Sequence, residues 1–324
     1  MDCQAGENEL LLTCRKLPDG VSILRCRTGD GQVRIPDRVG GSPVRELGPY
    51  ALSTREPEEK EGLFQVRITC GGTLPDRHRA EEIHQVLLPP TLRRIGDYAF
   101  YNCRNLSCLA LYGSVTELGG DAFMNCSALS RMEITLGEDG RSCLRAILSE
   151  CSGDLQVTLR DPSGRQAVLF FPAYLEDMEL LVAPHIFRRR IEGAGYAYRQ
   201  CVTGGVLNFI QYDACLDRLL QGRDFTTACR IALNRLRWPW QLSPGGEEAY
   251  RTTLKGHGLE VAFFLIETGD TDGLAFLLGQ ASLEPGDLGT ACDHARQMGR
   301  TEALALLLEA ARSGVRAPGK TYDL

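Results

Sequence analysis

No apolar run in this chain approaches the ~18–20 residues that a membrane-spanning helix requires; its apolar stretches, such as Ala167 to Phe171, are strand-length. The first nine residues, Met1 to Glu9, are polar and acidic and lack the basic start and apolar core of a secretory signal. For a chain beginning at its native start, this places the protein in the cytosol. Basic charge is also short: the net charge is −6. That balance argues against general affinity for nucleic acid or anionic membranes, since neutralising phosphate requires clustered Lys and Arg. The one dense basic cluster, Arg188-Arg189-Arg190, is too short to outweigh it and reads as a solvated or ion-paired face.

Catalytic and metal signatures are missing as well. There is no Gly-x-Ser-x-Gly elbow, no phosphate-binding Walker sequence and no His-Glu-x-x-His, and the five histidines (His78, His84, His185, His257, His294) are scattered. Gly193-Ala194-Gly195 has Tyr198 where a dinucleotide fingerprint needs its third glycine. Asp270-Thr271-Asp272-Gly273 opens like a calcium loop but lacks the later ligands, so a helix-capping turn is expected. Cysteine is plentiful, at 13, yet the number is odd, no Cys-x-x-Cys occurs, and Cys292-x-His294 has no second pair at zinc-site spacing. Reduced thiols, no metal and no cofactor are therefore expected.

What is present is periodicity. Three apolar triads, Ile83/Val86/Leu88, Leu106/Leu109/Leu111 and Leu129/Met132/Ile134, follow one another at 23 residues. The positions between keep the register: Leu92 with Val115, Ile95 with Leu118, Ala99 with Ala122, Phe100 with Phe123, Asn102 with Asn125, Cys103 with Cys126. The spacing i, i+3, i+5 suits an arc entering a short strand whose last two apolar residues share one face. One such unit cannot bury its apolar set alone, whereas stacked units form a continuous core and a parallel sheet. Cysteines that repeat in register read as small buried hydrophobes. Upstream, Val33-Arg34-Ile35-Pro36 echoes Val86 to Pro89, and Leu47 to Leu52 echoes Ile95 to Phe100. The acidic stretch Glu56 to Lys60 reads as an inserted loop before Leu63, Val66 and Ile68 resume the triad; downstream, Leu155, Val157 and Leu159 form a last, irregular turn.

This pattern resembles the BspA-type leucine-rich repeats common in bacterial proteins, over about residues 10–160. The residues that carry it are Ile95-Gly96-x-x-Ala99-Phe100-x-x-Cys103-x-x-Leu106-x-x-Leu109-x-Leu111 and the copy from Leu118 to Ile134. The resemblance implies a curved solenoid whose roles, where known, are adhesion and protein recognition. Many members carry an export signal, which this sequence does not show.

After Asp161 the composition shifts. Residues 161–212 mix Gly, aromatics and Arg and read as a connector packing on the solenoid's end, with Ala167 to Phe171 a possible further strand. From about Asp213 apolar residues recur at helix spacing, with breaks at Trp238-Pro239-Trp240 and Gly245-Gly246. A weaker 30-residue repeat pairs Gly269 with Gly299, Leu277 with Leu307 and Leu278 with Leu308. Thr290 to Ala295 keeps the Thr and Ala of T-P-L-H-x-A, so roughly residues 258–312, within a helical domain of residues 213–324, are similar to ankyrin repeats, though a plain helical-hairpin stack would look the same. The expected fold is α+β: residues 1–160 a leucine-rich-repeat β-solenoid, then an all-α, ankyrin-like domain.

Function is expected on the sheet's solvent face. If the triads point inward, Gln85, Leu87, Cys108, Ala110, Tyr112, Arg131, Glu133 and Thr135 alternate outward as a recognition surface; the alternative is that the connector or the helices cover it. The expectation is an intracellular, non-catalytic module that binds a protein or peptide, with no nucleic-acid or membrane partner. An adhesin whose leader is absent and an enzyme built on a Cys–His pair are the rival readings.

Overall fold

The structure is a computed structural model and describes residues 9–55, 61–69, 74, 80–180, 187–280 and 282–314. The Glu56 to Lys60 stretch, His78 and His185 lie outside the described residues. Two compact units, residues 1–212 and 213–324, divide the chain.

The first unit contains thirteen strands of a two-sheet solenoid among its described residues. They are β1(Leu10–Leu17), β2(Gly20–Thr28), β3(Gln32–Arg34), β4(Arg38–Val39), β5(Ser42–Leu47), β6(Leu63–Ile68), β7(Gln85–Leu87), β8(Arg94–Ile95), β9(Cys108–Tyr112), β10(Glu117–Leu118), β11(Arg131–Thr135), β12(Leu155–Arg160) and β13(Gln166–Phe171). One sheet runs β13-β12-β11-β9-β7-β3 and the other β10-β8-β5-β2-β1-β6. The chain passes from one sheet to the other within each turn.

The 23-residue offset is a strand register. Leu109 lies opposite Met132, Leu111 opposite Ile134, and Ile95 opposite Leu118. The degraded flanks obey it: Val33 pairs with Val86, Leu47 with Ile95, Met132 with Val157 and Ile134 with Leu159. Five parallel rungs (β3, β7, β9, β11, β12) result, and antiparallel β13 closes the row. Every triad member is buried. Leu63, Val66 and Ile68 do not resume this triad. They belong to β6, an antiparallel edge strand on β1 in the other sheet, where alternating half-burial needs the same apolar spacing.

Between the sheets the turns stack backbone to backbone. The Tyr98, Phe100 and Asn102 amides donate to the Gly120, Ala122 and Met124 carbonyls of the next turn. The turns approach so closely that a Cβ at Gly96 would lie 2.8 Å from Gly48's backbone, which explains the glycines at this repeat position. Asn102 and Asn125 take left-handed φ of 64° and 65°, a region where Asn is favoured, and the Asn125 side-chain amide donates to Asn102 Oδ1 at 2.7 Å. Phe100 and Phe123 stack with centroids 5.2 Å apart. At this corner the last regular turn has helix α1(Leu144–Glu150), rather than another stacked arc, beside its amides. Glu150, ending that helix, supplies the acceptor: its Oε2 receives the Phe123 N–H at 3.2 Å.

Beyond β13 the first unit adds the hairpin β14(Leu175–Leu180)–β15(Phe187–Glu192), helix α2(Gly195–Arg199), the short pair β16(Val202–Thr203)–β17(Val206–Leu207) and α3(Phe209–Ala214). Arg190 of the basic cluster pairs with Glu192 at 2.5 Å, as an ion-paired face requires. Gly195 is a packing glycine, because a Cβ there would fall 1.9 Å from the Pro172 carbonyl. Arg199 is buried and donates to the carbonyls of Cys151, Gly153, Pro172 and Gly195. The Tyr212 hydroxyl accepts from the Phe170 amide at 2.8 Å and donates to its carbonyl at 2.7 Å, satisfying an edge position of β13.

The second unit is helical: α4(Leu216–Gln221), α5(Phe225–Arg237), α6(Pro244–Gly256), α7(Gly258–Thr268), α8(Thr271–Gly279), α9(Pro285–Gln297) and α10(Thr301–Gly314). Asp224, Ser243 and Asp270 cap α5, α6 and α8 by accepting the amides of Thr227, Gly246 and Gly273. The Asp270 sequence is thus a helix cap. Gly269 and Gly299 both adopt left-handed φ, at 73° and 66°, between α7 and α8 and between α9 and α10. The 30-residue repeat is therefore a pair of helical hairpins, and the resemblance to ankyrin repeats extends no further than this helix pairing. At the unit's core Arg235, fully buried, forks onto Asp213 at 2.8 and 3.1 Å. Tyr250 Oη donates to the same carboxylate at 2.8 Å.

Candidate functional site

The expected recognition face is the side of β7, β9 and β11 that turns away from the triads. Register sets its rows: Gln85, Cys108 and Arg131 lie side by side, then Leu87, Ala110 and Glu133, then Tyr112 and Thr135. Arg131 is exposed, and Gln85, Leu87, Tyr112, Glu133 and Thr135 are half-buried. Cys108 and Ala110 depart from the expectation, at 1% and 6% exposure. The methyl of Ala110 sits between the longer Leu87 and Glu133 on strands roughly 4.8 Å to either side, which shadow it. Cys108 is disulfide-bonded. The accessible face is thus a rim of six residues around a small-residue centre. It carries charge of both signs, with Glu133 bound to Arg160 of β12 at 2.7 Å.

A second cluster lies on the stacked turns. Tyr50 and Tyr98 occupy equivalent positions of adjacent turns, their rings parallel within 8° and 5.1 Å apart. Tyr101 meets both edge-on, at 6.0 and 6.1 Å. Arg55 lies over the Tyr50 ring, 4.4 Å from its centroid, and donates to its hydroxyl at 2.8 Å. Asp121, with nearby Tyr50 and Asp97, raises the pKa of the Tyr98 hydroxyl. Sequence reasoning missed this cluster. The signal was the alignment of Leu47–Leu52 with Ile95–Phe100, which superposes Tyr50 on Tyr98; a tyrosine repeated at a turn position, where no core pattern demands it, could have revealed the stack.

The cysteines are arranged for packing. Cys103 and Cys126 thiols donate to the Leu52 and Phe100 carbonyls at 3.4 and 3.2 Å. Burial pushes the Cys14, Cys26, Cys126, Cys143, Cys151 and Cys229 thiols up to about 12, and Cys103 well above its usual value. A thiol so raised is a poor nucleophile. Ten described cysteines carry no disulfide; Cys108, being bonded, departs from the expectation of reduced thiols throughout. His294 packs tilted against Phe263, their ring centroids 4.3 Å apart, and contacts Glu267 at 3.2 Å, while Cys292 is buried on the same helix. Among the described residues no group of three or more His, Cys, Asp or Glu could hold a metal ion, and no helix is long and apolar enough to cross a membrane.

Residues 78–153 match the family model described as BspA type leucine rich repeat region, in 6 copies. No curated protein matches the chain. Two solved structures are similar. One is the leucine rich repeat protein TpLRR of T. pallidum, at 22% identity over 41% of this chain and 54% of that one, with a TM-score of 0.29. The other is a leucine rich cell surface protein of Faecalibacterium prausnitzii A2-165, at 21% identity over 46% of this chain and 34% of that one, with a TM-score of 0.27. The chain thus matches about half of the first and a third of the second.

Proposed function

From a chain that carries a BspA-type leucine-rich repeat region over residues 78–153, we propose a non-catalytic module that binds a protein or peptide on the outer face of β7, β9 and β11. The supporting observation is the register that lines up Gln85, Leu87, Tyr112, Arg131, Glu133 and Thr135 on adjacent rungs as an accessible, mixed-charge face. A rigid sheet holds these side chains in place before binding, so little conformational entropy is lost on association. Tyr112, with its flat ring and hydroxyl, has the chemistry of an interface anchor. Tyr112→Glu should reduce partner capture about tenfold or more while shifting the melting temperature little. The measurement is quantitative mass spectrometry of proteins captured from the source lysate by wild type and variant; an unchanged capture profile rejects this face.

A cytosolic location accords with the ten described cysteines that carry no disulfide. A second reading, an exported adhesin-type protein, is favoured by the disulfide at Cys108, because such bonds persist in oxidising compartments. Alkylating the native protein without reductant separates the two. A Cys108 that takes up label only after reduction supports export, and one labelled after denaturation alone supports the cytosol.

A further inference from the structure

We propose that the tyrosine stack is a second binding site, which takes an arginine side chain of a basic peptide segment onto the Tyr98 ring beside Asp121. This site is on the stacked turns and does not depend on the sheet face described above.

The stack already binds one guanidinium. Arg55 lies over the Tyr50 ring at 4.4 Å and donates to its hydroxyl. Tyr98 of the next turn stacks on the same ring, so the two rings are the first two layers of a column that follows the turns. The third turn supplies no ring. It has Asp121 at the tyrosine position and Gly120 beside it, where an added Cβ would meet nothing within 4 Å. Among the described residues no further ring or cation stacks on Tyr98, and Asp121 follows it in the next turn, whose Gly120 carbonyl accepts the Tyr98 amide at 3.1 Å. A guanidinium placed there would repeat what Arg55 does at the other end and pair with the carboxylate.

Charge agrees with this occupant. Asp97 accepts the Gly120 amide at 2.9 Å, and among the described residues no Lys or Arg pairs with Asp97 or Asp121. Met124, one repeat beyond Tyr101, is 45% exposed and offers an apolar neighbour for the methylene stem of an arginine. Backbone conformation points the same way. Tyr50 and Tyr98 hold left-handed φ of 58° and 56°, where Asn, Asp or Gly would fit at lower cost and where the third turn does use Asp.

The test uses the full chain with ring-labelled tyrosine, titrated with acetyl-Gly-Arg-Gly-amide and its citrulline counterpart and followed by NMR. The arginine peptide should give saturable shifts of the Tyr98 and Tyr101 ring signals, and citrulline, isosteric but neutral, should bind at least about fivefold more weakly. Asp121→Asn and Tyr98→Asn should each weaken arginine binding by about five- to tenfold. Asn tolerates the left-handed backbone at both positions, and Asp121→Asn alone decides the matter if Tyr98→Asn disturbs the amide spectrum. Shifts that do not saturate, equal binding of citrulline, or undiminished binding by Asp121→Asn overturns the proposal.

Discussion

The two units of this chain hold together by different means. In the solenoid unit the same contact is made repeatedly: a ring stacks on the ring of the next turn, an asparagine on an asparagine, a glycine backbone on a glycine backbone. No single rung is indispensable to the pattern, and the vulnerable place is the end, where repetition stops and Glu150 must accept what a further turn would have accepted. In the helical unit repetition is weak and specificity is concentrated. Caps set the helix starts, and one buried pair, Arg235 with Asp213, ties α5 to the unit's first residue with Tyr250 of α6 completing the carboxylate's partners. Repetition spreads stability over neighbour contacts, whereas a buried ion pair gathers it at one point.

The largest expected effect tests that concentration. Asp213→Ala leaves Arg235 buried without its carboxylate and should destabilise the helical unit by about 3–5 kcal/mol. Hydrogen exchange should show lost protection in α5 and α6 while the solenoid amides stay protected. Equal loss in both units would mean that they do not differ as described. A smaller effect is expected at the solenoid's end: Glu150→Ala removes the acceptor of the Phe123 amide and should cost about 1 kcal/mol in urea unfolding, since the site is only partly buried. Glu150→Gln, which keeps an acceptor, should restore most of it. The smallest effect is the pH dependence of the same residue. Desolvation raises the Glu150 pKa above its ordinary value, against the opposing pull of the backbone amides it accepts. A raised folded-state pKa means that this contribution is fully present below the ordinary glutamate value and is lost as pH rises through the folded value. Wild type should therefore gain stability relative to Glu150→Gln as pH falls from neutrality into the carboxylate range. A difference that does not vary with pH would remove Glu150's desolvation from the account.

Much of the solenoid was legible in advance because a register is a property of spacing. Positions 23 apart are strand partners, so spacing alone places the triads, the Phe100 and Phe123 rings and the Cys103 and Cys126 thiols. Leu63, Val66 and Ile68 misled because a half-buried antiparallel edge strand uses the same apolar spacing as a rung. Of the eight residues expected on the solvent face, six are accessible. Alternation assigns a face, but not whether a small side chain on it is shadowed by its neighbours or, as with Cys108, already bonded. Arg235 and Asp213 were not singled out, since they are 22 residues apart and belong to no motif.

For this protein the amino-acid order alone determined the repeat length, the inward set of apolar residues, the asparagines that recur in register and the helical hairpins punctuated by glycine. These follow from local periodicity and from the φ preferences of single residues. Only the tertiary structure decided which turn ends the ladder and how Glu150 closes it. It also decided which outward residues reach solvent, and that Tyr50, Tyr98 and Tyr101 assemble into one stack with a guanidinium at one end and a carboxylate at the other. Those outcomes depend on what each side chain meets across turns, and that is set by packing in three dimensions.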